Sequence, residues 1–119
     1  MGAVGAVLGG VGVAAGAVGA HALRHRLAPA MLEVFETATR YQLVHALAMI
    51  VTALALERRP SAMLAAAGWL FGAGVVLFSG SLYALSLVGP TEWGIVTPFG
   101  GVSFLAGWAC LALGLGRGR

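Results

Sequence analysis

Four long apolar stretches, separated by short polar segments, make up most of the chain. The uncharged stretches cover residues 1–23, 41–56, 60–91 and 93–116. Because a helix needs about 20 apolar residues to cross a bilayer, the pattern predicts membrane spans over residues 2–23, 38–57, 62–88 and 95–116. We therefore expect an all-α membrane protein, in which residues 1–119 form a single transmembrane domain built as a four-helix bundle.

An amphipathic segment leads into the second span. Pro29 suits the first turn of a helix, and no helix breaker stands between it and Arg59. On such a helix Glu33, Glu36 and Arg40 lie within about 60° of one another. We expect one continuous helix from Pro29 into the membrane, and the alternative is a separate segment lying along the membrane surface.

The first span is rich in small residues at four-residue spacing. The pairs are Gly5 and Gly9, Ala6 and Gly10, Gly12 and Gly16, and Ala15 and Gly19. Small residues at this spacing let helix backbones approach closely in lipid. We expect this helix to be packed on several sides, inside the bundle or at a homo-oligomer contact. A cleaved signal peptide is the weaker alternative, because no basic residue precedes the apolar run.

The third and fourth spans each contain a place where the helix is expected to adjust. A third span of about 27 residues is roughly 40 Å long at 1.5 Å per residue, which exceeds a hydrocarbon core of about 30 Å. We expect it to tilt or to bend at Gly72, Gly74 or Gly80. The Thr97-Pro98 pair predicts either a plain helix start or an unwound helix of the kind found at transporter sites.

Composition and charge support a membrane location and exclude a nucleic-acid partner. The chain is 60% hydrophobic and only 9% charged, whereas a soluble domain is about 25% charged. The bilayer is therefore its expected partner. The seven arginines are scattered along the chain, whereas phosphate backbones need clustered basic residues. Four crossings place Arg58, Arg59, Arg117 and Arg119 on the side of both termini, opposite Arg24, Arg26 and Arg40, so the positive-inside rule predicts cytoplasmic termini.

The candidate chemistry centres on His45, which lies one turn after Tyr41 in an apolar stretch. An imidazole there needs a partner, so it is either a ligand-binding or proton-titrating group or a neutral histidine bonded to another helix. His21 ends the first span. Ser79 shares a helix face with Tyr83, from which both could donate to His45 or line a small polar cavity, and the alternative is that they only form hydrogen bonds between helices. The candidate ligand-binding residues are His21, Glu36, Arg40, Tyr41, His45 and Ser79.

The same residues lack the spacing of a metal site or of a catalytic centre. No His-x-x-His or Glu-x-x-His pair joins the candidates, although helical metal sites use such spacing. The serines do not stand in any recognised nucleophile motif. We therefore expect no metal, no cofactor and no enzymatic activity.

Four motifs stand in order along the chain: Gly16-Ala17-Val18-Gly19-Ala20-His21; Phe35-Glu36-Thr37 with Arg40-Tyr41-Gln42 and His45-Ala46-Leu47; Leu77-Phe78-Ser79-Gly80-Ser81-Leu82-Tyr83; and Thr97-Pro98-Phe99-Gly100-Gly101 with Phe104-Leu105-Ala106-Gly107-Trp108. With these motifs in this order, the chain resembles the family called domain of unknown function 423, which is related to transmembrane protein 256. The resemblance implies a bacterial inner-membrane protein of about four helices. It implies no activity, cofactor or catalytic residue.

Two functional hypotheses follow from the sequence. In the first, the protein binds or moves a small solute, ion or lipid through a polar pocket around His45, Arg40 and Glu36. In the second, it is a structural or assembly protein whose polar residues only hold the helices together. A continuous polar cavity would favour the first hypothesis, and a dry bundle with mutually bonded polar groups would favour the second.

Overall fold

The protein folds into four long helices. The computed structural model describes residues 1–117, and Arg119, one of the arginines assigned to the cytoplasmic side, lies outside them. The helices are α1 (Gly2–His21), α2 (Pro29–Arg58), α3 (Ala62–Leu87) and α4 (Thr97–Gly116), with short 3₁₀ turns at Leu23–His25 and Thr91–Ile95. All four are long and apolar enough to cross a membrane. The predicted all-α fold with four membrane helices is confirmed.

Local sequence signals explain where the helices begin. Pro29 occupies the first turn of α2, which continues without a break for 30 residues. The lead-in and the second span are therefore one helix rather than a surface segment followed by a span. The hydroxyl of Ser61 caps α3 by accepting a hydrogen bond from the Leu64 amide at 3.2 Å. Thr97 and Pro98 form a regular first turn of α4, so the expected alternative of an unwound helix there is wrong.

One irregularity interrupts α3 in mid-membrane. Residues Val75–Ser79 form a π-helical turn, with Gly74 before it and Gly80 after it. This is the region where the sequence predicts an adjustment of the over-long third span. A π turn inserts extra backbone into a helix and re-aims the side chains around it, and here it directs Phe78 toward α4.

The bundle is flattened, with Cα dimensions of 51 × 26 × 16 Å. Helices α2 and α3 form its centre. Helix α1 packs mainly against α2 and α4 mainly against α3, whereas the backbones of α2 and α4 stay apart along most of their length and meet through side chains. The chain is therefore a pair of helical hairpins joined side by side, with a space left between α2 and α4.

Glycines at seven-residue spacing form the contact face of α1. Gly5, Gly12 and Gly19 are the buried residues of this helix, and they face Ile50, Leu43 and Phe35 of α2 in turn. A seven-residue repeat keeps one face of a helix against its partner along a left-handed pair. Within the chain, α1 is buried along this one face only, so packing on several sides inside the bundle is not what the structure shows. The alternative that a further face of α1 packs at an oligomer contact stays a prediction. The remaining surface of α1 carries exposed valines.

Helix α4 packs against α3 through glycines in the same way. Gly100, Gly107 and Gly114 are buried and lie against residues of α3 that are also seven apart, namely Phe78, Phe71 and Leu64. Each outer helix thus presents glycines to large side chains of the inner helix beside it. We call these two contacts the glycine seams.

Adjacent glycines of α4 provide a test of the seam. Gly100→Ala would place a methyl group against the backbone of Phe78, whereas Gly101 has open space beside it. We expect Gly100→Ala to destabilise the protein by about 1 to 3 kcal/mol through overpacking. Gly101→Ala is expected to be neutral or to stabilise by up to about 1 kcal/mol through helix propensity. Reversible unfolding in mixed detergent micelles measures both, and equal effects would contradict the seam.

Candidate functional site

A buried glutamine joins three of the helices. The Gln42 side chain of α2 donates from Nε2 to the carbonyl oxygen of Leu8 in α1 at 2.8 Å. Its Oε1 accepts a hydrogen bond from the Tyr83 hydroxyl of α3 at 2.6 Å. The sequence motifs include Gln42 but assign it no role. The signal that points to it is a polar amide in an otherwise apolar stretch. Its role is to hold α1 and α3 in register on α2.

Serine hydroxyls form further links between helices. Ser79 donates to the carbonyl oxygen of Ala38 at 2.6 Å, and Ser103 donates to that of Leu70 at 2.7 Å. The expectation that Ser79 and Tyr83 donate to His45 is therefore wrong, because both hydroxyls point to other acceptors. In the described part of the chain, no buried side-chain nitrogen or oxygen is without a partner.

The partners of His45 determine its tautomer. The Trp108 indole of α4 donates from Nε1 to His45 Nε2 at 3.1 Å, and an indole nitrogen can only donate. Nε2 is therefore the unprotonated acceptor, and Nδ1 carries the proton that it donates to the Tyr41 carbonyl oxygen at 2.7 Å. The ring is 4% exposed and stacks on Phe104, with centroids 3.6 Å apart. His45 is thus a neutral link between α2 and α4.

The space between α2 and α4, which His45 and Trp108 also line, forms an open groove of about 490 Å³. We call it the α2–α4 groove. Its lining is largely aromatic and aliphatic: Tyr41, Val44, His45, Phe78, Pro98, Gly101, Val102, Phe104, Leu105 and Trp108. Phe78, which the π turn directs toward α4, lies 4.7 Å from the ring of Tyr41 and 5.4 Å from that of Phe104, measured between centroids. The groove therefore has a continuous aromatic floor.

An arginine stands beside this groove. A smaller cleft of about 190 Å³ is lined by Arg40, Tyr41, Val44 and His45, and the last three of these also line the groove. Arg40 is exposed and immediately precedes the apolar part of α2. The structure therefore places one positive charge in a cleft that adjoins the apolar groove.

The six candidate residues are only partly brought together. Arg40, Tyr41 and His45 line the small cleft. Ser79 is buried against α2, while His21 and Glu36 are exposed and line neither the cleft nor the groove. Neither of these two spaces therefore joins all six residues as a polar pocket.

A second groove on the opposite side gives a contrast. It has a volume of about 440 Å³ and lies between α1 and α3, with Phe35 of α2 in its lining. Its lining residues are Val11, Ala14, Ala15, Val18, Leu23, Phe35, Tyr83 and Leu87, none of which is charged. The α2–α4 groove, by comparison, shares three lining residues with a cleft that contains Arg40.

The hydrogen bond between His45 and Trp108 makes a measurable prediction. In a cycle of His45→Phe, Trp108→Phe and the double variant, we expect a coupling energy of about 0.6 to 1.5 kcal/mol, as for one hydrogen bond between membrane helices. Phenylalanine keeps an aromatic ring at each position, so the cycle isolates the polar contact. Unfolding in mixed micelles measures the coupling, and strictly additive effects would show that the bond does not stabilise the bundle.

Comparison with known proteins gives close similarity along most of the chain. The family described as "Protein of unknown function (DUF423)" matches residues 15–101. The "UPF0382 inner membrane protein YgdD" of Escherichia coli K12 is 43% identical over 109 residues, covering 92% of this chain and 83% of the relative. The "UPF0382 membrane protein YwdK" of Bacillus subtilis is 39% identical over 114 residues, covering 95% and 90%. No solved structure matches. The resemblance inferred from the motifs is thus confirmed, and the chain belongs to the DUF423 family of small multi-pass membrane proteins.

Proposed function

We propose that the protein is a non-enzymatic lipid-binding protein of the membrane, which holds one bilayer lipid in the α2–α4 groove. The acyl chain lies on the aromatic floor, and the headgroup lies at Arg40. The observation that carries the proposal is an apolar groove that shares three residues with a cleft containing the charged side chain of Arg40. This arrangement matches the two parts of an amphipathic molecule.

The size and position of the groove support an acyl chain as its occupant. Its volume of about 490 Å³ lies within the range of ligand sites, about 300 to 1,000 Å³. The rim residues Val102 and Leu105 are 65% and 72% exposed, so the groove opens sideways to the surrounding membrane. A lipid can therefore enter without leaving the bilayer.

The position of Arg40 supports a phosphate at the other end. The apolar stretch of α2 begins at the next residue, so Arg40 marks the end of the hydrocarbon-facing part of this helix. A guanidinium group pairs well with phosphate because its planar set of donors matches the phosphate oxygens. A long arginine side chain near a helix entrance also reaches the headgroup level.

Passage of a polar solute or ion has less support from the same geometry. The interhelical polar side chains near the groove are bonded to partners inside the protein, as His45 is to Trp108 and Ser79 to Ala38. A hydrophilic path would need such groups to face water or a ligand. We therefore favour a lipid, the most apolar of the ligand classes that the sequence left open.

The structural alternative has a surface of its own on α1. The face turned away from α2 carries exposed valines, among them Val7 and Val13. A partner membrane protein or a second copy could pack there, and the homo-oligomer contact expected on α1 stays a prediction. This alternative requires no ligand in the α2–α4 groove, so a lipid assay separates the two functions.

Filling the groove tests the proposal directly. Gly101 lines the groove and a Cβ added there meets nothing within 4 Å, so the side chain of Gly101→Phe starts in open space and can fill part of the groove. We expect lipid retained by the purified protein to fall about tenfold, equivalent to about 1.4 kcal/mol of binding. Native mass spectrometry from mild detergent measures this retention.

Gly10→Phe is the matched control, because Gly10 of α1 also has open space beside it and lines neither of the large grooves. It should retain lipid as the unmodified protein does. Equal retention by Gly101→Phe and the unmodified protein, with helical content preserved, would overturn the proposal and favour the structural alternative.

A further inference from the structure

The charges at the start of α2 stand in a definite order along the helix axis. Arg40 lies closest to the hydrocarbon, next to the start of the apolar stretch. Glu36 and Glu33 precede it and are exposed like Arg40. At 1.5 Å per residue, Glu36 lies about 6 Å and Glu33 about 10 Å farther out along the helix. A positive charge is therefore followed outward by two negative charges.

This order is the reverse of the charge order in a zwitterionic aminophospholipid. In such a lipid the phosphate follows the glycerol and acyl chains, and the ammonium group lies beyond the phosphate on a short linker. If the acyl chain lies in the groove, Arg40 is at the depth of the lipid phosphate. The carboxylates, one and two turns farther out along the helix, are then at the depth of the ammonium group. The three residues share one face within about 60°. A headgroup bound at Arg40 can therefore extend along the helix to Glu36, although Glu36 lines neither the groove nor the cleft.

We infer that the α2–α4 groove selects a lipid with a primary ammonium headgroup, such as phosphatidylethanolamine, with Arg40 binding its phosphate and Glu36 its ammonium group. The inference rests on the proposed lipid-binding function and names its ligand class. An ammonium group donates charge-assisted hydrogen bonds to a carboxylate, whereas an anionic glycerol headgroup supplies no positive charge to offset Glu33 and Glu36. The carboxylates therefore disfavour an anionic lipid that Arg40 alone would accept.

The competing role for Glu36 is purely local. Glutamate and arginine four residues apart on a helix can stabilise one another by a few tenths of a kcal/mol, and Glu36 would then have no effect on which lipid is bound. The two roles differ in one measurable property, the ratio of two headgroups bound by the same groove. An experiment that measures this ratio, and not only stability, separates them.

The full chain is purified in mild detergent and given an equal mixture of phosphatidylethanolamine and phosphatidylglycerol with identical acyl chains. Native mass spectrometry then gives the ratio of the two bound lipids. We expect the unmodified protein to prefer phosphatidylethanolamine, and Glu36→Gln to lower the ratio about tenfold, the effect of one charge-assisted hydrogen bond. Glu36→Lys should reverse the preference. Arg40→Gln should reduce retention of both lipids.

Glu57→Gln is the matched control, since Glu57 is exposed at the opposite end of the same helix, and it should leave the ratio unchanged. A ratio unaffected by both Glu36→Gln and Glu36→Lys, or a preference of the unmodified protein for phosphatidylglycerol, would overturn the inference. If lipid retention still depends on Gly101, that result leaves the lipid-binding function in place. If Gly101→Phe retains lipid normally, the proposed function itself fails.

Discussion

The close approach of glycine faces to large side chains is the contact on which the rest of the structure depends. Gly5, Gly12 and Gly19 in α1 and Gly100, Gly107 and Gly114 in α4 each face a bulky residue of the neighbouring inner helix. Lipid tails are as apolar as leucine, so burial from water does not drive these helices together. Tight packing and a few hydrogen bonds must do so, and glycine permits the closest packing.

The pairing of helices by these seams explains why a groove exists. Because α4 is held against α3 and α1 against α2, the backbones of α2 and α4 are left apart along most of their length. The His45 ring connects them by accepting a hydrogen bond from Trp108 and stacking on Phe104, and the π turn at Val75–Ser79 contributes Phe78 to the aromatic floor. Since the groove opens to the bilayer, its geometry favours an amphipathic membrane molecule over a polar solute.

Part of the candidate site was predictable because it lies on one helix. Arg40, Tyr41 and His45 fall within two turns of α2, and helix geometry alone places them near one another. Trp108 is 63 residues from His45 along the chain, and no local pattern identifies it as the partner. The glycines of the seams stand seven apart in the sequence, but α1 also carries small residues four apart, and local spacing does not show which of these faces meets α2.

The sequence by itself determined that this is a four-helix membrane protein, where its helices begin, and where its few charges stand. The physical reason is that a bilayer requires long apolar helices whose backbone groups are hydrogen-bonded within the helix. Both conditions depend on local composition, so they can be recognised from the sequence. Only the tertiary structure decided which helix faces meet and which acceptors Ser79 and Tyr83 find. Those choices depend on helix pairing and register across the bundle, so the groove beside Arg40 exists only once all four helices are in place.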